Sequence, residues 1–168
     1  MASGFQIALL LCLASGLLTA ESCCEEKKPC CAACPPGWTQ FGDRCFMFHI
    51  RGKAWHEAER DCLSMDGNLA SVHSVKEHDF LRDYVYRVSY SYRYIWLGGH
   101  DAVKEGFWMW ADGSKFNYTR WATGVPNNLK KEDCLEMNYA GTYWNDRKCT
   151  AIRSYVCSKD LPCCDRNH

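Results

Sequence analysis

The residues with the most chemistry to offer are cysteines, 13 of them in a chain of 168. Cys12 lies in an apolar, uncharged opening from Phe5 to Ala20, which ends in the small residues Leu18-Thr19-Ala20 before Glu21. That is the pattern of a secretory signal with its cleavage site. Removing it takes Cys12 and leaves an even number, 12, which in an exported chain reads as disulfides. The competing reading is zinc, prompted by doublets such as Cys30-Cys31. It lacks a second Cys-x-x-Cys pair at a usual metal spacing. Histidines 49, 56, 73, 78 and 100 are scattered, with no serine or cysteine free beside one as a nucleophile pair, so catalysis is not expected. His56, Glu59 and Asp61 read as the solvated face of a helix. Asn117-Tyr118-Thr119 is the only N-glycosylation sequon, in an expected exposed turn, and makes Asn117 a candidate glycan carrier.

Charge narrows the partners. Lys plus Arg and Asp plus Glu are 20 each, and residues 1–20 contribute none of them. The mature chain is neutral with both signs interspersed, which argues against a nucleic-acid footprint or a polybasic membrane patch. The apolar opening is shorter than the roughly 20 residues a membrane helix needs, and no later segment is apolar enough to span. A secreted, extracellular protein without a membrane span is expected.

The elements that must position any site follow from pattern. Residues 1–20 are the signal, 21–33 a cysteine-rich arm with little to bury, 34–158 the globular domain and 159–168 a cysteine-containing tail. A turn at Pro35-Pro36-Gly37-Trp38 leads into an aromatic-rich strand reaching about His49. From Lys53 to Asp66, apolar residues at Ala54, Trp55, Ala58, Cys62 and Met65 have helical spacing, with Gly67-Asn68 as the stop. Leu69 to Val72 reads as a short strand. Ser74 and Glu77 form a capping box opening a second helix that buries Phe80, Leu81, Tyr84 and Val85. Beyond about Ser91 only short strands are expected: Tyr94–Leu97, Phe107–Trp110, Cys134–Met137, Tyr143-Trp144 and Ser154–Cys157. Gly113 to Lys131 is a long stretch rich in turn residues. The class is α+β, and Trp96 and Trp110 read as core residues.

Several independently placed features make Cys34 to Cys157 resemble the C-type lectin-like domain. They are Cys34 and Cys45 around the opening turn, Cys62 in the first helix with Cys157 in the last strand, and Cys134 with Cys149. Trp96-Leu97-Gly98-Gly99 is similar to the family's core Trp-Ile-Gly-Leu motif, and Trp144-Asn145-Asp146 to its Trp-Asn-Asp motif. The resemblance implies three bridges, Cys34–Cys45, Cys62–Cys157 and Cys134–Cys149. It also implies two helices, small antiparallel sheets and a long calcium-binding loop. Within the family, Gly113-Ser114-Lys115-Phe116-Asn117-Tyr118 and the short format look most like fish lectins, including galactose-binding venom lectins, and type II antifreeze proteins.

In sugar-binding members, oxygen side chains hold one calcium ion, which two adjacent sugar hydroxyls then coordinate. The matching positions are Val125, Asn127, Glu132, Asn145 and Asp146, with Pro126 at the family's usually cis proline. Four carry oxygen: Asn127, Glu132, Asn145 and Asp146 are the expected calcium and sugar ligands. Val125 departs from the family's Glu-Pro-Asn (mannose-type) and Gln-Pro-Asp (galactose-type) patterns, and its side chain can neither coordinate calcium nor accept from a hydroxyl. The resemblance thus implies a lectin for carbohydrate on glycoproteins or cell surfaces, with a degenerate sugar motif, and an agglutinating activity is compatible with it. Two other readings stay open: an ice-binding protein of the type II antifreeze kind, and a lectin-like protein that has lost sugar binding. Cys23, Cys24, Cys30, Cys31, Cys163 and Cys164 fall outside the three implied bridges. They read either as staples within the chain or as links in a covalent homo-oligomer.

Overall fold

The computed structural model describes residues 33–161. The expected signal and the six arm cysteines lie outside the described residues. A tight turn, with Trp38 N–H donating to Pro35 O at 3.0 Å, delivers β1 (Thr39–Phe41), which folds back antiparallel on β2 (Arg44–Lys53). Helix α1 (Trp55–Leu63) follows, with Glu57 accepting from the Ala54 N–H at 3.2 Å and Ala58 and Cys62, one turn apart, fully buried. The stop falls on Asp66, whose φ is 57°, one residue before the glycine expected to provide it. Gly67 instead serves packing, since a Cβ there would meet the Ser158 carbonyl oxygen at 2.6 Å.

The polar face of α1 differs from expectation. His56 is exposed, but Glu59 accepts from Leu69 N–H at 2.7 Å and Asn68 Nδ2 at 2.6 Å, tying β3 (Asn68–Leu69) to the helix. Asp61 pairs with Lys53 at 2.7 Å and accepts from the Tyr155 hydroxyl. These are joints between elements, because the chain leaving α1 turns straight back along it.

Helix α2 (Val75–Ser89) opens with half of the expected capping box. Ser74 Oγ accepts from Glu77 N–H at 3.2 Å, but the Glu77 carboxylate turns to His73 N–H at 2.7 Å and Arg44 Nη1 at 2.5 Å. Arg44 is itself nearly enclosed and also donates to Ser158 Oγ at 2.6 Å. A buried guanidinium needs a counter-charge more than one helix amide needs a cap. Leu81, Tyr84 and Val85 are buried as their spacing predicts, while Phe80 is half-buried and stacks on Phe41 at 4.5 Å.

The remaining strands are β4 (Ile95–His100), β5 (Met109–Trp110), β6 (Cys134–Tyr139), β7 (Tyr143–Arg147) and β8 (Arg153–Asp160). They join into one eight-stranded sheet with the path β1-β2-β8-β4-β6-β7, β3 pairing β8 and β5 pairing β4. Among the pairings between these strands the β4–β8 one is parallel, and β8 makes the expected small antiparallel sheets continuous. The described ends of the domain therefore lie side by side, β2 running along β8 from Arg44 opposite Asp160 to Lys53 opposite Arg153. Gly98 lets β4 in close, for a Cβ there would sit 2.5 Å from the Leu69 carbonyl oxygen.

Two cores flank this sheet. One gathers Phe46, Leu81, Val85, Leu97, Trp110, Leu135 and Trp144; the other gathers Ala58, Leu69, Trp96, Tyr155 and the Cys62–Cys157 bridge. Trp96 and Trp110 are core residues, as read from the sequence. Cys34–Cys45 and Cys134–Cys149 are also bonded. Cys62–Cys157 spans 95 residues, so it removes about 4–5 kcal/mol of unfolded-chain entropy on a loop-closure account.

Candidate functional site

The long stretch before β6 is fixed in two different ways. Its first half is aromatic. Phe116, Tyr118 and Trp121 surround the buried Trp144 ring with centroids at 6.2, 5.6 and 5.8 Å. Backbone bonds continue this contact, Trp144 N–H to Arg120 O at 2.9 Å and Ala122 N–H to Trp144 O at 3.0 Å. The second half has no such anchor. It starts at the cis Val125–Pro126 bond and is held by side-chain oxygens. Asp146 Oδ2 accepts from the Asn127 and Asn128 N–H groups at 2.7 and 2.6 Å. Asn127 Oδ1 accepts from Leu129 N–H at 3.0 Å, and Asn128 Oδ1 from Glu132 N–H at 2.8 Å. Asn128 has φ 48°, a left-handed conformation that asparagine tolerates better than most residues.

Strand β7 brings the other donors beneath this loop. Asn145 and Asp146 lie opposite Glu136 and Leu135 of β6, and both are buried. The Asn145 amide nitrogen donates to Glu136 Oε1 at 3.0 Å and to the Asp146 carbonyl at 2.6 Å. With the NH₂ group so committed, the side-chain oxygen is the end left to meet a ligand. Glu136 is in turn held by Arg153 Nε at 2.7 Å. Asn127, Glu132 and Asn145 line one open hollow of about 460 Å³, with Tyr139 and Arg147 also on its wall. Asp146 is not on that wall, but its backbone-binding oxygen shapes the loop above.

Every side-chain donor is oxygen, two carboxylates and two amides, which suits a hard cation such as calcium and gives zinc or copper nothing soft to bind. Asp146 Oδ1 is buried and has no hydrogen-bond partner, a costly state for a carboxylate oxygen unless something positive meets it. Burial, and then the neighbouring Asp146 charge, push the Glu132 carboxyl above its usual range, against the pull of Arg147 Nη1 at 3.5 Å. Two crowded carboxylates are what a cation would relieve. Val125 contributes no oxygen. The four predicted residues fit an oxygen-seeking ion.

Sequence reading missed three parts of this neighbourhood. Asn128 fastens the loop to Glu132, and Glu136 orients Asn145; neither stands in a motif. The third is a second oxygen cluster, in which one carboxylate oxygen from each of Asp101, Glu105 and Asp133 lies within 4.8 Å of the others. Asp101 is buried, with Oδ1 unpartnered, and burial followed by the Asp133 charge raises its carboxyl. Asn128 Nδ2 donates to Glu105 and so links this group to the loop. The acidic pairing Glu132-Asp133 is visible in sequence, but it takes the His100–Cys134 register and the Asp101 N–H to Asp133 O bond, at 3.1 Å, to show that β4's end meets it. Asn117 is exposed within the stretch between β5 and β6.

Comparison with known proteins agrees with this architecture. Residues 51–159 match the lectin C-type domain family. The galactose-specific lectin nattectin of Thalassophryne nattereri is 45% identical over 131 residues, 77% of this chain and 82% of that one. Ladderlectin of Oncorhynchus mykiss is 47% identical over 118 residues, covering 69% of this chain and 62% of its own length. The solved herring type II antifreeze protein superposes with a TM-score of 0.72 at 34% identity, over 77% of this chain and all of that one. Among the described residues no helix is long and apolar enough to cross a membrane. A matched domain that takes in both helices, the parallel β4–β8 contact and the Trp144-Asn145-Asp146 strand leads to one statement: this chain belongs to the C-type lectin domain family.

Proposed function

We propose that this protein is an exported lectin that binds carbohydrate through a calcium ion held by Asn127, Glu132, Asn145 and Asp146. The reading rests on the convergence of Asn127, Glu132 and Asn145 on one open hollow, next to the strand residue Asp146 with its buried, unpartnered oxygen. The relationship to a galactose-specific lectin and to ladderlectin supports it. Calcium, when bound, supplies a positive centre that two adjacent sugar hydroxyls can coordinate. The chain's own residues do the rest. Asp146 fixes the loop backbone, Glu136 holds Asn145 with its amide oxygen free, and the carboxylate of Glu132 accepts from a hydroxyl while its partner Arg147 lies to one side. Val125 leaves one hydroxyl without a charged acceptor, a contribution of about 1.5–3 kcal/mol, so affinity is weak and the choice between mannose-type and galactose-type sugars is relaxed. Weak single sites agglutinate cells only when linked, and linking raises avidity by roughly 10²–10⁴. The arm cysteines could provide that link.

A glycan-array screen of the secreted protein, with and without a calcium chelator, tests the reading. Binding should appear only with calcium and vanish in Glu132→Ala and Asp146→Ala, both still folded by circular dichroism. Binding that survives the chelator, or either variant, would place the sugar elsewhere.

A further inference from the structure

The hollow is lopsided in charge. The whole chain is balanced, 20 cationic against 20 anionic side chains, yet Lys130, Arg147 and Lys148 line this one hollow against a single carboxylate, Glu132. Glu132 is largely buried, its side chain 10% exposed, whereas Arg147 is 44% exposed and touches it only at 3.5 Å. That is long for a charge-assisted hydrogen bond, so the guanidinium fork is not used up. Among the described residues neither lysine forms an ion pair, and both are exposed. The clustered carboxylates Asp101, Glu105 and Asp133 do not line the hollow. Two lysines without an ion pair and an arginine held only loosely by Glu132 therefore line a site whose neutral side chains, Asn127 and Asn145, suit hydroxyls.

Resting on the sugar reading above, we infer that the preferred ligand is an acidic glycan, one carrying a carboxylate or sulfate ester beside the sugar that occupies the hollow. The geometry divides the work. Asn127, Asn145 and Glu132 meet hydroxyls, while Arg147 offers a planar pair of N–H donors to a planar carboxylate or a sulfate edge. Lys130 and Lys148 add point charges at the rim without a fixed direction, so they accept either acid. Apolar Val125 adds no negative charge that would repel the ligand. Exposed contacts of this kind are individually small, and together they give an acidic over a neutral sugar a preference of roughly tenfold. Much of that preference should be screened at high salt, because the charges face water.

Matched probes test this: lactose against sialyllactose and sulfated lactose, and mannose against sulfated mannose, each titrated in calcium at low and at high salt. The acidic member of a set should bind roughly tenfold tighter at low salt, and sialylated against sulfated lactose tells which acid dominates. In Lys130→Gln/Lys148→Gln the ratio should fall towards one while the neutral sugar binds as before. Arg147→Lys should lower the sialylated and sulfated affinities further, since it keeps charge but loses the fork. Equal affinity for acidic and neutral members, or a ratio unchanged in the lysine variant, overturns the inference and leaves the lectin reading standing. Acidic binding that persists in chelator shows simple polyanion attraction and also overturns it. No binding by any probe removes the lectin reading and this inference together.

Discussion

The two halves of the long loop, residues 116–122 and 125–132, solve the same problem with opposite chemistry. The first is wedged into the core by Phe116, Tyr118 and Trp121 against Trp144. The second has nothing apolar to bury, since Val125 is half-exposed and Leu129 exposed. It depends on one carboxylate and two asparagines. Hydrophobic packing is indifferent to ions, whereas a carboxylate that shapes backbone with one oxygen and leaves the other bare invites one. The contrast teaches how the polar half can vary without endangering the fold: packing rests on Trp144, and the carboxylate that shapes the polar half is Asp146, two residues on.

Breaking the aromatic half should have the largest effect. Trp144→Ala empties the space between Phe116, Tyr118, Trp121 and Trp110, and should cost about 3–5 kcal/mol in urea unfolding. A loss below 1 kcal/mol would mean that the loop's first half is not held by packing. The same half carries a pH dependence. His78 lies buried with its Nδ1 accepting from Trp144 Nε1 at 3.2 Å, and burial, with Arg120 nearby, pushes its pKa down to about 4 from 6.5. Its folded pKa is depressed, so between those values the unfolded chain binds more protons. Stability should therefore fall as pH drops from 6.5 towards 4, by on the order of 3 kcal/mol. The raised carboxyls of Asp101 and Glu132 act in the opposite sense. The difference between the parent and His78→Gln, which keeps an acceptor for Trp144, isolates the histidine. Identical acid-unfolding profiles for the two would remove this account of His78.

The polar half gives the smallest effect. Val125→Glu should leave unfolding unchanged and strengthen calcium binding by about 1.5–3 kcal/mol, the worth of a bond to a charged group, with preference moving towards mannose-type sugars. Calorimetry showing no change in calcium affinity would mean that position 125 does not face the ion.

Legibility in the sequence followed the same division. The helices, the core tryptophans and the strands were readable because each is a local pattern of burial, such as Ala58 with Cys62 or Leu81 with Val85. Asn127, Asn145 and Asp146 could be proposed as ligands because two motifs carry them, and Glu132 because its position matches the family's pattern. What could not be read were links between distant segments. The Glu77 carboxylate leaves the Ser74 N–H for Arg44, 33 residues away in sequence, and Asp61 meets Tyr155 across 94 residues. The Asp101–Glu105–Asp133 group likewise exists only once β4 and the start of β6 are brought together. No periodicity encodes a partner supplied by another element.

Amide hydrogen exchange across the loop, with and without millimolar calcium, asks whether the polar half holds the ion. Calcium should slow exchange at the Asn127, Asn128 and Glu132 amides, leave residues 116–122 unchanged, and lose its effect at those three amides in Glu132→Gln. If the amides of the second half exchange at the same rate with and without calcium, or if Glu132→Gln responds as the parent does, the loop does not hold the ion there.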